Sequence, residues 1–255
     1  MSQLSVTIIT LNEAANIEAC IDSVAFADEV VVLDSGSVDA TVALARAKGA
    51  RVVECQDWPG FGPQKNRALD LVRFPWVLSL DADERVPAAL AAEIRRAISD
   101  PQAQAFEIPR LTQFCGRLIR HCGWTPDHVL RLFRSDAGRF SQDLVHERVV
   151  LQGGVPQRLG TALLHYSYPT AQHYWSKLQH YSQAWARQRF EQGQTSTMWR
   201  AGGAATVAFV KSYILRLGFL DGAMGFAVCA LQAQAAFAKY FALYCLNRGI
   251  PLSND

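Results

Sequence analysis

Asp81 and Asp83 stand two residues apart at the end of an apolar run, Trp76-Val-Leu-Ser-Leu-Asp81. On an extended segment residues two apart leave the same face, so the two carboxylates are expected to converge on one oxygen-loving cation, Mg²⁺ or Mn²⁺. Such a cation suits a reaction that expels a diphosphate, because it neutralises the charge growing on the leaving group. Capping of the helix expected after Pro87 is the structural alternative for the same pair. Two more polar tips precede it, Thr10-Leu-Asn-Glu13 and Asp34-Ser-Gly-Ser-Val-Asp-Ala-Thr41. Thr10, Asn12, Glu13, Asp34 and Ser35 are the candidates for holding a nucleotide. Asp34 and Glu13 can accept from a base imide or a ribose hydroxyl, whereas Asp39 reads as an acid favourable at a helix start. Lys65 and Asn66 fall where exposed helix N–H groups favour phosphate, with a solvated surface lysine as the alternative. Arg131 offers a fork for a diphosphate or an acidic acceptor. His165, at a strand end, reads either as a packed core histidine or as a further ligand of the metal site.

The elements that must position these residues follow a βα alternation from Leu4 to Asp83. The apolar runs Val6–Thr10, Val30–Asp34, Arg51–Glu54 and Trp76–Asp81 are expected as parallel strands buried on both faces. Between the first two, Ile17, Cys20, Ile21 and Val24 have the spacing of an amphipathic helix. Further helices are expected from near Asp39, from Pro63 and after Pro87, where Leu90, Ile94 and Ile98 share a stripe. In an open parallel sheet ligands collect beyond the carboxyl ends of the strands, so three acidic tips there predict one crevice. Beyond residue 100 strands are separated by loops, and from Thr170 the pattern is helical.

Taken in this order, Thr10-Leu-Asn-Glu13, Asp34-Ser-Gly-Ser37 with Asp39 and Thr41, Lys65-Asn66 and Asp81-Ala-Asp-Glu84 resemble the family 2 glycosyltransferases. The resemblance implies an inverting enzyme of α/β class with the GT-A nucleotide-diphosphosugar transferase fold, a Rossmann-like mostly parallel sheet, and a C-terminal helical extension. It implies nucleoside contacts for Glu13 and Asp34 and the metal and diphosphate for Asp81 and Asp83. Gly123-Trp-Thr-Pro-Asp127, Arg131-Leu-Phe-Arg134, Val145-His-Glu147 and Phe219-Leu-Asp-Gly222 with Gly225-Phe226 resemble the subgroup that glycosylates the lipopolysaccharide inner core. The expectation is therefore hexose transfer, glucose from a UDP-glucose donor, to a lipopolysaccharide core sugar, assisted by a divalent metal. Inversion needs a base for the acceptor hydroxyl. Where many family members carry Glu-Asp, this chain has His146-Glu147, so Glu147 is the first candidate and His146 its competitor. Trp124 offers a flat face for a sugar, or a core ring.

The expected division is a catalytic domain over 1–168, with a nucleotide-sugar half over 1–100 and an acceptor half over 101–168, and a helical extension over 169–255. The extension is a candidate for membrane attachment. Ala204–Leu246 is strongly apolar, but its longest uncharged run, Gly222–Ala238, holds Gln232 and Gln234, which speaks against spanning. From Arg187 onwards seven Lys/Arg face three Asp/Glu, a balance suited to an anionic cytoplasmic leaflet. Burial of the apolar helices in a core or an oligomer interface is the alternative. The formal charge of +2 excludes a chain-wide basic field for nucleic acid. Six cysteines without a C-x-x-C pair, and an N-terminus that runs straight into a strand pattern, point to reduced thiols and a cytoplasmic location. Two rivals are weighed. A nucleotidyltransferase calls for a glycine-rich loop after the first strand, where this chain has Leu11-Asn-Glu-Ala-Ala-Asn16. A non-catalytic membrane-surface scaffold would not require three acidic tips.

Overall fold

The computed structural model describes residues 2–141 and 147–252, which divide into two compact units. The first comprises residues up to 110 together with 127–165. It opens with β1 (Leu4–Thr10), α1 (Ile17–Ser23), β2 (Glu29–Asp34), α2 (Thr41–Ala47), β3 (Arg51–Glu54), α3 (Phe61–Asp70) and β4 (Trp76–Asp81). The short β5 (Glu84–Arg85) and α4 (Ala88–Ala97) follow. Next along the chain come β6 (Ala105–Phe114), β7 (Arg117–Leu118), β8 (Asp127–Arg134), β9 (Gly138–Phe140), β10 (Val149–Leu151), β11 (Gln157–Arg158) and β12 (Leu163–Tyr168).

The sheet order is β3-β2-β1-β4-β8-β6-β12-β5, and the first four strands pair in parallel. β8 runs antiparallel to both β4 and β6, which turns the sheet from its nucleotide-type half to mixed pairing. The apolar runs become parallel strands because both faces are covered: on one, Val6, Ile8, Val32, Leu78 and Leu80 are buried with Ile17 and Cys20 of α1 and Leu90 and Ile94 of α4, and on the other Val77 is buried with Leu69 of α3. The helical stripe from Ile17 to Val24 is thus the packed face of α1. α3 starts at Phe61, two residues before Pro63, and Pro63 sits in its first turn, where a missing N–H costs no helical bond. On β8 the alternation sends Leu132 and Phe133 into different core clusters, so both faces of this strand are buried too.

The second unit comprises residues 111–126 and 166 onwards. Its helices are α5 (Ala171–Glu191), α6 (Met198–Val210) and α7 (Gly222–Asn247), with a π-helical turn over Lys211–Leu215 and a 3₁₀ turn over Gly218–Asp221. Thr170 and Thr197 start α5 and α6 as N-caps, accepting from His173 N and Arg200 N at 3.2 Å each. Gly225 of the Phe219–Phe226 motif and Gly218 just before it are contact residues, whereas Gly222 stands in open space with a positive φ of 62°. A Cβ on Gly225 would lie 1.9 Å from the Gly218 carbonyl oxygen, and one on Gly218 would lie 2.6 Å from Cys229 Sγ. Trp124 belongs to this unit's core, its ring 5.5 Å from Tyr168 and 6.1 Å from Phe114, so the packed reading of that residue holds rather than an open sugar platform. Gly218–Asn247 is long and apolar enough to cross a membrane by length and composition, and 22% of its apolar window is buried within the chain.

Candidate active site

The carboxyl ends of β2, β1 and β4 lie side by side, with Thr10 opposite Asp34 and Ile9 opposite Asp81 in register. The first two tips form a closed knot of hydrogen bonds. Asp34 is 1% exposed and accepts from Thr10 Oγ1 (2.9 Å), Gly36 N (3.0 Å), Ser37 N (2.8 Å) and Ser37 Oγ (2.5 Å). These four donors fill the carboxylate that the sequence marks for a nucleoside, and its work in this arrangement is to shape the turn after β2. Thr10 is buried with it. Asn12, in the left-handed region at φ 56°, joins the loops by accepting from Val38 N (2.9 Å) and donating its own N–H to Ser37 Oγ (2.8 Å). Glu13 accepts from Asn16 Nδ2 (2.8 Å), and its N–H donates to Thr41 Oγ1 (2.8 Å). Asp39 accepts from Thr41 N (3.0 Å), the first residue of α2, and from Ala14 N (3.1 Å). It therefore serves the helix start and the knot together. Ser35 accepts from the fully buried Gln64 Nε2 (3.0 Å), which ties the knot to α3.

One residue further along α3, Lys65 is the centre of the charged site. It is 3% exposed, which removes the solvated-lysine reading, and its Nζ lies 2.8 Å from Glu147 Oε1 and 3.0 Å from Asp81 Oδ1. The other Asp81 oxygen pairs with Arg131, whose same nitrogen reaches Glu84 Oε1 at 2.9 Å. Glu84 is completely buried, accepts from Asp81 N (3.0 Å) and also meets Arg110 (3.5 Å). Arg110 in turn holds Asp127 (2.7 Å). Burial opposes charge on Asp81, but the Arg131 guanidinium and the Lys65 ammonium more than reverse this and hold its carboxyl well below the usual range. The reciprocal attraction to Asp81 and Glu84 holds Arg131 above the ordinary arginine range despite burial. Arg131 Nε is buried without a hydrogen-bond partner.

The expectation that Asp81 and Asp83 leave one face of an extended segment is corrected by the backbone. β4 stops at Asp81, residues 82 and 83 form a turn and β5 begins at Glu84, so the strand rule does not carry through. Asp81 goes to Lys65 and Arg131, whereas Asp83 Oδ2 meets His165 Nε2 at 3.3 Å. Neither acid caps α4, whose N-terminus has no side-chain cap. Asn66 is not a phosphate group in waiting: its Nδ2 donates to Phe140 O and its Oδ1 accepts from Phe140 N, both at 2.9 Å, pinning β9 to α3. His146 lies outside the described residues.

Lys65, Asp81, Arg131 and Glu147 line one cavity of about 600 Å³, together with Arg110, His128 and Phe140. Arg110 escaped the sequence reading, and Glu84 and Gln64, though they flank the marked residues in Asp81-Ala-Asp-Glu84 and Gln64-Lys65-Asn66, were not expected to hold the site together. Glu84 carried a signal, since an acid directly after Asp-x-Asp was in view, but its complete burial was not. Arg110 follows a proline in a loop-rich stretch and has no local pattern to mark it. Counting the network, Asp81, Glu84, Asp127 and Glu147 face Lys65, Arg110 and Arg131, so its formal charge is negative. The cavity itself is lined by Lys65, Arg110, Arg131 and Arg148 against Asp81, Glu107 and Glu147, but Lys65, Arg110 and Arg131 are each already paired with a carboxylate, so a diphosphate must compete for them or bring added positive charge. Asp83 and His165 supply a carboxylate and an imidazole at a separation compatible with sharing one hard divalent cation. Among the described residues no cluster of three or more His, Cys, Asp or Glu could hold a metal alone. Two protein ligands fit an ion that takes its other ligands from phosphate and water, the usual habit of Mg²⁺.

Comparison with known proteins identifies the family. The model of the family Glycosyl transferase family 2 matches residues 5–137. An uncharacterized glycosyltransferase of Rickettsia bellii is 30% identical over 253 residues, 93% of this chain and 84% of its own. The lipopolysaccharide core biosynthesis glycosyltransferase LpsC of Rhizobium meliloti is 29% identical over 252 residues, 94% of this chain and 92% of its own. Among solved structures, glucosyl-3-phosphoglycerate synthase from Mycobacterium tuberculosis, in complex with Mn²⁺, uridine diphosphate and glucosyl-3-phosphoglycerate, is 31% identical over 44% of this chain, with a TM-score of 0.37. The matched part is 44% of that enzyme's chain, less than half its length. The α/β sheet with its three polar strand tips, the helical C-terminal segment and the family match lead to one statement: the chain is a glycosyltransferase and belongs to glycosyl transferase family 2.

Proposed function

We propose that the chain transfers a hexose, glucose from UDP-glucose, to a sugar of the lipopolysaccharide core, with inversion and with Mg²⁺ or Mn²⁺ bound. The observation that carries this reading is the Lys65–Asp81–Arg131–Glu147 cluster in one cavity. Glu147 accepts the proton of the acceptor hydroxyl while that oxygen attacks the anomeric carbon. The bond from the anomeric carbon to the diphosphate oxygen breaks on the opposite side, and its electron pair leaves with the nucleoside diphosphate. Lys65 holds Glu147 before the donor arrives; a diphosphate competes for the ammonium and releases the carboxylate for the acceptor. Arg131 keeps Asp81 and Glu84 in place and has a buried Nε still to be satisfied. Asp83 and His165 are the residues assigned to the metal, which when bound supplies charge neutralisation for the leaving diphosphate. Thr10, Asn12, Glu13, Asp34 and Ser35 give the nucleoside a rigid floor, with Glu13 and Asn12 the more open members.

Donor binding is assigned to residues 1–100, acceptor binding to 101–168 and membrane contact to 169–255. The acceptor class rests on the lipopolysaccharide relative and the membrane-surface location on the apolar α7 and its basic surroundings. A peripheral place on the cytoplasmic face of the inner membrane suits six free thiols. The test is incubation of pure protein with Mn²⁺ and a panel of UDP-sugars, following release of UDP. Turnover of one UDP-hexose, lost in Asp83→Asn, is the expected result; no binding or turnover of any of them contradicts the proposal.

A further inference from the structure

The helical unit contains a second cavity, of about 690 Å³, that shares no residue with the charged site. Lys211, Arg216 and Lys239 line it, with the rings of Tyr174, Trp185 and Tyr240. No acidic side chain lines it, and none of the three cations forms an ion pair or side-chain hydrogen bond among the described residues. The nearby acid of the Phe219–Gly222 motif is committed elsewhere: Asp221 accepts from Arg120 N (3.1 Å) and His121 N (2.8 Å) and meets His121 Nδ1 (3.1 Å). Arg216 is held in position by its backbone. Its N–H donates to Lys211 O (2.9 Å), its carbonyl accepts from Cys122 N (3.1 Å), and its stem covers Gly123, where an added Cβ would come 3.5 Å from Cγ. Two cations are thereby fixed on a single turn.

That turn is also the most apolar exposed stretch of the unit. Ile214 and Leu215, between the two cations, are 51% and 71% exposed, and Leu217, Phe219, Leu220 and Phe226 beyond them are all at least 45% exposed. Large apolar side chains left together on a surface mark a contact site. Interleaved with unpaired cations and aromatic rings, they have the composition of a segment that enters the boundary between headgroups and acyl chains.

We infer that the Lys211–Asp221 turn inserts into an anionic bilayer and that the cavity beneath it takes the phosphate of an anionic phospholipid headgroup. The inference rests on the membrane-surface part of the proposed function and names the lipid chemistry that part leaves open. Lys211 and Arg216 meet the phosphate, and the apolar side chains anchor the turn.

The full chain is to be sedimented at low salt with vesicles of phosphatidylcholine, or of equal parts phosphatidylcholine and phosphatidylglycerol. Binding to the anionic vesicles at least about tenfold tighter than to the neutral ones is expected. The double variant Lys211→Gln/Arg216→Gln should lose about tenfold or more on anionic vesicles only, and Leu215→Ser/Leu220→Ser should lose binding to them as well. Because neither cation is paired, the double charge variant should keep its melting temperature within about 2 °C; if it does not fold, Lys239→Gln takes its place with the same expectation. Equal binding to both vesicles, unchanged binding of a folded charge variant, or full displacement by inorganic phosphate at matched ionic strength would overturn the inference. UDP release measured on the same preparations without vesicles reports separately on the transferase proposal, since these side chains take no part in the charged site.

Discussion

Lys65 has two acidic partners within 3.0 Å and almost no contact with water, so its removal leaves Asp81 and Glu147 short of a cation. Lys65→Met should destabilise the fold by about 3 kcal/mol, read by denaturant unfolding, and weaken UDP binding in the presence of metal. Asp81 has a clear pH signature. Its folded carboxyl is held far below its unfolded value, so its contribution is full above about pH 4 and is lost as the pH falls towards the folded value. The stability gap between the wild type and Asp81→Asn should therefore be widest above that pH and narrow on further acidification; a gap that widens in acid contradicts the assignment. Residue types were the legible part of the site. The βα alternation identified Lys65, Asp81 and Asp83 as polar groups at strand and helix ends, whereas Arg131 and Glu147, beyond that alternation, were marked by the motifs that carry the resemblance. Their pairing was not legible. Lys65 and Glu147 are 82 positions apart, and no local pattern encodes a contact across that distance.

At the scale of elements, the meeting of α3 with β9 sets the distance between Lys65 and Glu147. Asn66 bonds both polar groups of Phe140, and a Cβ on Gly62 would lie 2.0 Å from the Ser141 carbonyl oxygen and 3.5 Å from Glu147 Cβ. Gly62→Ala must push these elements apart, with an expected loss of about 1–3 kcal/mol in stability. Turnover should fall further than UDP binding, because Glu147 moves while the nucleotide floor at β1 and β2 stays. Kinetics showing an intact kcat and a raised KM would contradict this. The parallel strands and their helices were readable from period and composition, since burial on both faces requires near-continuous apolar runs. The short β5 and the turn before it were not. Asp81-Ala-Asp-Glu84 reads as strand by continuity with β4, and only tertiary partners, Arg85 donating to Ala82 O (2.7 Å) and to Asn16 O (2.9 Å), fold it back. That turn separates Asp83 from Asp81.

For the whole molecule, the commitment of Lys65, Arg110 and Arg131 to carboxylates around the cavity makes nucleotide binding conditional on a divalent ion. UDP with Mn²⁺ at about one hundred times its dissociation constant should stabilise the native state by about 2.7 kcal/mol. That raises the melting temperature by several degrees, whereas UDP with chelator should leave it near the ligand-free value. An equal rise without metal contradicts the charge argument. The measurement that bears most directly on the central claim, glycosyl transfer at the Lys65–Glu147 site, is a comparison of wild type and Glu147→Gln in the same UDP-glucose assay with UDP affinity measured alongside. The variant is expected to bind UDP with metal at least as tightly as wild type, since the competitor for Lys65 is gone, and to lose turnover by about 10²-fold or more, the contribution of a positioned base. Turnover by Glu147→Gln equal to that of wild type would contradict it.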